Sequence, residues 1–182
     1  MTDHSITTIP SDQPLPADDT SRCLTVVYPD DLAAAHISQA GNFYTILIAG
    51  SQTEGRYCLI DMLVPDGGGP PPHRHDFEEM FTLLEGELEF TFRGETQTIR
   101  SPASVNIPAN APHRFAIRLG KVAHMLCMCT PAGQEDFFTS VADRIPDRKT
   151  PAPKPDAAKQ AEKHELMQKL APMCRTEFLP PT

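Results

Sequence analysis

The chain has no surplus of basic residues. Its 182 residues include 16 lysines and arginines against 24 aspartates and glutamates, a formal net charge of −8. Nucleic acid and anionic membrane both attract basic surfaces, so neither is an expected partner. No apolar run reaches the length that crosses a bilayer. The N-terminal Met1-Thr2-Asp3-His4-Ser5-Ile6 lacks the basic start and apolar block of a secretion signal, which predicts a cytoplasmic protein. Cysteines are few and irregular: Cys23, Cys58, Cys127, Cys129 and Cys174 make an odd, scattered set. Such a set argues against a disulfide framework and for free thiols in a reducing compartment. Cys127 and Cys129 share a face if their segment is a strand. Core packing is the favoured reading for them, because zinc-binding cysteine pairs usually have at least two residues between them.

What is present suits a globular domain. The composition is 40% hydrophobic, and the length allows one domain with a core plus appendages. Residues 1–21 are polar, with Pro10, Pro14 and Pro16, and read as a flexible arm. Residues 22–145 form the candidate barrel domain. Residues 146–155 form a stiff, proline-rich linker. Residues 156–182 form a helix and tail, the helix capped by Asp156, stopped by Pro172 and carrying a thin apolar stripe of Ala158, Ala161, Met167 and Leu170. An aspartate-capped helical turn is expected at Asp30–Ala35.

From about Asn42 the hydrophobic period is two. Strands are predicted at Tyr44–Ala49, Arg56–Val64, Glu79–Leu84, Glu87–Phe92, Gln97–Ile99, Ser104–Ile107, His113–Leu119 and Val122–Cys129, with a turn at Glu85-Gly86. A short helix is predicted at Gln134–Ala142, opened by Gly133 and with acidic residues in its first turn. Many short strands with few helices between them imply an all-β sandwich or barrel and exclude a parallel sheet.

The chemistry gathers in His73-Arg74-His75-Asp76-Phe77-Glu78-Glu79. Alternation in extended chain points His73 and His75 the same way. By the same rule Glu79, Phe81 and Leu83 share one face, and His113, Phe115 and Ile117 share another. If both faces line one barrel, His113 sits opposite the other three. Imidazole and carboxylate suit iron, manganese, nickel, copper, cobalt or zinc. Gly67-Gly68-Gly69 frees the backbone before the cluster, and Pro70-Pro71-Pro72 stiffens the approach.

These residues resemble the cupin superfamily. Its first motif, G(X)5HXH(X)3–4E(X)6G, is matched by Gly67, His73, His75, Glu79 and Gly86. Its second, G(X)5PXG(X)2H(X)3N, reads here as Pro102, Pro108, Asn110, His113 and Ile117, so that only Pro108 and His113 match. Asn110 tolerates the left-handed backbone that the replaced glycine would adopt. More loosely, the segment Pro131–Phe138 and the tail ending Glu177-Phe178-Leu179-Pro180-Pro181 resemble single-domain bacterial cupins of the quercetin dioxygenase-like kind. The resemblance implies a double-stranded β-helix, or jelly-roll, barrel. It also implies a homodimer and one divalent metal per chain on His73, His75, Glu79 and His113.

Four protein ligands leave open positions on a metal that takes five or six, which is the condition for catalysis. The expected function is a metal-dependent, dioxygenase-like cupin acting on a small aromatic or enolisable molecule. Glu79 is its expected proton acceptor. A non-catalytic small-molecule-binding cupin and an isomerase or decarboxylase are the alternatives. Phe81 and Phe115 are the foremost pocket candidates, because they share faces with the ligands. Met62 is a further one, although barrel packing is its simplest reading. His124, on a strand with Leu126 and Met128, is either a packed histidine or a substrate contact. Arg74 should face away from the metal.

Overall fold

The computed structural model of the protein describes residues 14–118, 120–150 and 157–180. Part of the expected arm and linker, and the Asp156 cap, lie outside these residues. Among the described residues, eleven strands and two α-helices occur in the order β1 (Ala35–Gln39), β2 (Asn42–Ile48), β3 (Cys58–Val64), β4 (His73–His75), β5 (Glu78–Phe92), β6 (Glu95–Arg100), β7 (Ala103–Ile107), β8 (His113–Ala116), β9 (Ala123–Thr130), α1 (Gln134–Val141), β10 (Asp143–Arg144), α2 (Ala157–Leu170) and β11 (Thr176–Phe178).

The strands make a jelly-roll barrel. Along the sheet they run β10-β1-β2-β3-β9-β5-β8-β4-β11, with β6 and β7 also paired to β5. Every pairing is antiparallel. Alternation fills the interior, as the period-two pattern demands. Cys58, Ile60, Met62 and Val64 of β3 face inward, as do Ala123, Met125, Cys127 and Cys129 of β9. Phe81 and Leu83 of β5 and Phe115 of β8 join them, with Phe81 and Phe115 packed edge to face at 5.4 Å between ring centroids.

The turn expected at Glu85-Gly86 is absent. Residues 78–92 form one continuous strand that passes from one half of the barrel to the other. Its first part pairs with β7 and β9, and its second with β6 and β8. The register slips between Leu83 and Glu85, and Gly86 takes φ +88°. A bulge of this kind lets a strand change sheets without reversing. The real hairpin lies at Arg93-Gly94, both with positive φ, between the paired residues Phe92 and Glu95.

Two further differences are local. Asp31 does cap, but it caps a turn: its Oδ1 accepts the Ala33 amide at 2.9 Å, and the chain then enters β1 instead of a helix. Pairing with β2 outweighs the helical preference of three alanines. Along α2, Ala158 and Ala161 are exposed. Only the C-terminal part of its stripe packs: Met167 and Leu170 lie against Phe137, Val141 and Ala171.

Candidate metal centre

Strand register brings the histidines together. His73 on β4 is paired directly with His113 on β8, although forty residues separate them in sequence. Glu79 enters from the start of β5. The ligand atoms of His73, His75, Glu79 and His113 all lie within 4.8 Å of one another, and all four residues are buried. Asn110 holds the turn before β8 at φ +68°, and its amide donates to the His75 carbonyl at 2.6 Å. The left-handed asparagine therefore does the work of the glycine it replaces. Gly69 also needs its missing side chain, because a Cβ there would sit 2.3 Å from the Phe115 carbonyl oxygen.

Each imidazole is oriented from behind. Nδ1 of His73 meets the Pro71 carbonyl at 2.9 Å, Nδ1 of His75 meets that of Phe77 at 2.9 Å, and Nδ1 of His113 meets that of Ala111 at 2.8 Å. A carbonyl only accepts, so each Nδ1 carries a proton, and each ring in its neutral form turns an Nε2 lone pair to the centre. Oε2 of Glu79 lies 3.2 Å from Nε2 of His75 and 3.3 Å from Nε2 of His113. The His113 contact is not aligned as a hydrogen bond, which leaves this buried nitrogen without a partner among the described residues. An orphaned lone pair beside two other imidazoles and a carboxylate is the donor set of a cation site. The cluster suits a metal.

The electrostatics agree. Burial, reinforced by the neighbouring His113, pushes His73 down to about 4. Burial also opposes charge on His75, but the hydrogen bond and negative charge of Glu79 outweigh it and raise this histidine. Burial opposes charge on Glu79 as well, but the imidazoles of His113 and His75 beside it prevail and hold it far below the ordinary carboxylate range. Glu79 is therefore an anion inside the barrel.

A cavity of about 160 Å³ opens onto His73 and Glu79. Phe81, Phe115 and Met62 line it. So do Tyr44, Gln134 and Phe137, which the sequence does not single out. The Tyr44 phenol accepts from Asn42 Nδ2 at 3.2 Å and its ring stacks on Phe138 at 4.9 Å. Alternation along β2 could have flagged Tyr44. Gln134 and Phe137 come from α1, which closes the barrel mouth through tertiary packing that no local pattern encodes.

His124 does not line this cavity, which corrects its place among the pocket candidates. It sits on the outer face of β9, where its Nε2 lies 2.7 Å from Oδ2 of the buried Asp61. Oδ1 of Asp61 pairs with Arg148 at 2.8 Å. Asp61→Ala would leave the largely buried Arg148 charge facing only the exposed Asp30 carboxylate at 3.9 Å. We expect it to cost about 3–5 kcal/mol, read from the shift in urea midpoint. Arg74 does face outward and pairs with Glu177 of β11 at 2.6 Å.

A barrel of this topology, with three inward imidazoles and a carboxylate, defines a class of small β-barrels able to hold a metal. Residues 60–129 match the family model described as the cupin domain. Residues 60–129 thus carry a cupin domain. Among solved structures, the chain is similar to the polyketide cyclase RemF from Streptomyces resistomycificus. The identity is 20% and the TM-score 0.53, over 81% of this chain and 99% of that one. It is also similar to a predicted oxalate decarboxylase from Thermotoga maritima, with 18% identity and a TM-score of 0.53 over 59% of this chain and 99% of the other. At these identities the likeness is one of fold. No curated protein matches the chain. No helix among the described residues is long and apolar enough to cross a membrane.

Proposed function

We propose that the protein is a metal-dependent oxygenase of the cupin superfamily, acting on a small aromatic or enolisable molecule. The observation that carries this reading is the convergence of four buried donors beside an apolar cavity. In it, Nε2 of His73, His75 and His113 and a carboxylate oxygen of Glu79 hold one divalent ion. Iron, manganese, nickel, copper, cobalt and zinc all accept this set. A redox ion there would supply dioxygen chemistry, and a non-redox ion would polarise a carbonyl. An apolar cavity of about 150 Å³ takes up benzene, so about 160 Å³ suits one substituted ring.

The chain's own groups divide the remaining work. Glu79 borders both the donor cluster and the cavity, and with Oε2 swung away from the histidines it would take the proton of a substrate hydroxyl. The imidazoles are unsuited to that role: each Nδ1 proton is committed to a carbonyl, and each Nε2 faces the centre. Phe81 and Phe115 exclude water from the ring they contact.

Oxygen uptake by metal-loaded protein, measured with a catechol, a flavonol and a 1,3-dicarbonyl, tests the reading. Uptake with one of them supports it. Metal-loaded protein inert across the panel would sink it. Turnover without oxygen would move the assignment to a cyclase, isomerase or decarboxylase, reactions closer to the names of the two structural neighbours. Thermal stabilisation by a ligand without turnover would favour a binding protein.

We also propose a homodimer in the cytoplasm. The segment 23–28 leaves Leu24, Val26 and Tyr28 exposed at 91%, 62% and 69%. An apolar stripe of this kind marks an interaction surface. Changing Val26 and Tyr28 together to lysine should halve the sedimenting mass at micromolar concentration. A wild-type protein that sediments as a monomer would overturn the proposal.

A further inference from the structure

The polar interior does not end at the imidazoles. The two oxygens of Glu79 face different neighbours. Oε2 faces His75 and His113. Oε1 lies 3.3 Å from Sγ of Cys127 and 3.9 Å from Sγ of Cys129, and the two sulfurs are 3.7 Å apart. All three residues are buried. Register explains the grouping. Glu79 on β5 is paired with Cys129 on β9, and Cys129 is paired with Cys58 on β3. A carboxylate and two thiols in one row therefore share the inward face of three neighbouring strands, with Cys127 one step along. Met62 and Met125, paired with each other, extend the same wall toward the other end of the barrel. A buried cysteine by itself is ordinary core material. An anionic oxygen held among cysteines in a wall that also carries thioethers is not.

The triangle has the dimensions of a coordination site. A point equidistant from Oε1 and the two sulfurs lies about 2.1 Å from each. Metal–oxygen and metal–thiolate bonds measure about 2.0–2.3 Å. We propose that Glu79 Oε1, Cys127 Sγ and Cys129 Sγ form a second metal site that takes a cuprous ion, with Glu79 bridging it to the histidine site.

Ligand softness and charge select the ion. Thiolates favour cuprous copper and zinc. Zinc in a closed site asks for four ligands in a tetrahedron, whereas three donors around one point satisfy a cuprous ion. On binding, two S–H protons leave for solvent, two copper–sulfur bonds form, and copper keeps its oxidation state, so no electron moves. The two thiolates and Glu79 then carry three negative charges. A cuprous ion here and a divalent ion on the histidines carry three positive ones, and the buried wall is neutral. A second divalent ion would leave an uncompensated buried charge, which is costly. This charge balance rests on the proposed histidine site, whereas the sulfur triangle itself does not. Glu79 lines the cavity, which gives the ion a way in.

The test uses full-length, reduced protein loaded anaerobically with cuprous ion in competition with a chelator. It is read by copper stoichiometry and X-ray absorption at the copper edge. Two sulfur neighbours per copper are expected in the wild type. Cys127→Ser and Cys129→Ser should each lower cuprous affinity by about a hundredfold or more and remove one sulfur neighbour. His113→Ala should leave both sulfur neighbours in place. Cys127→Ala, which keeps the interior apolar, separates lost ligation from lost folding through its unfolding midpoint. Copper surrounded only by nitrogen and oxygen in the wild type would overturn the proposal, and so would a Cys127→Ser affinity equal to wild type. Loss of divalent binding with the copper–sulfur signal intact would count against the histidine site alone.

Discussion

Replacing His113 with alanine should reduce divalent-metal affinity by about a hundredfold or more. Removing the groups that merely orient metal ligands costs about 10–100-fold, and loss of a ligand should cost at least as much. The fold should survive. His113 is paired in β8, and its ring lies against His73 at 4.3 Å and Phe90 at 6.2 Å between centroids, so the alanine leaves a modest gap beside the remaining donors. Calorimetric titration of wild type and variant with one divalent ion decides the matter, and equal affinities would refute the site. The pH dependence gives a second, independent reading. Metal must displace whatever proton a donor holds. His75 is raised, so below its pKa one proton leaves on binding and affinity should fall about tenfold per pH unit. His73 is pushed down to about 4, so it adds a second proton, and a steeper fall, only below that pH. A pH-independent affinity between pH 7 and 5 would show that the imidazoles are not the donors.

The donor set was legible because two simple rules carry it. Period-two alternation places His73 with His75, and Glu79 with Phe81, while the spacing of the first motif ties them to a single barrel. Only the register of β4 against β8 was needed to add His113. The parts that were not legible depend on partners distant in sequence. Both faces of β9 are apolar, so alternation alone left open which parity points inward. The answer lies in Asp61, which holds His124 outside the barrel from 63 residues away. The same missing parity concealed the approach of Cys127 and Cys129 to Glu79. Phe137 and Gln134 reach the cavity because α1 packs over the barrel mouth, and nothing within the helix states what it covers. Gly86 misleads for a different reason. A glycine between two alternating runs gives the same local signal for a hairpin and for a strand that crosses between sheets, and only pairing partners distinguish them.

That distinction yields the second large effect. Gly86→Ala should cost about 3 kcal/mol or more, whereas Gly94→Ala should cost about 1 kcal/mol. The two glycines have almost the same backbone, with φ +88° and +89°. Left-handed strain is therefore common to both variants. Their surroundings differ. At Gly94, in the Arg93-Gly94 hairpin, an added Cβ meets nothing within 4 Å. At Gly86 it would sit 2.0 Å from the Val122 carbonyl oxygen and 3.1 Å from the Ala123 Cα, and both are backbone atoms that cannot rotate away. Relief would have to come from separating β5 and β9 where Gly86 is paired with Ala123, at the point where β5 changes sheets. For a chain of this length, about 3 kcal/mol corresponds to a fall in Tm of about 6–12 °C. Thermal unfolding of the two variants side by side isolates the contact from the strain. Equal losses would mean that the barrel closes at this corner without the close approach of β9. A loss confined to Gly86→Ala would make this glycine the residue that lets one strand serve both halves of the barrel, and so hold Glu79 in the first half against His113, which pairs with the second.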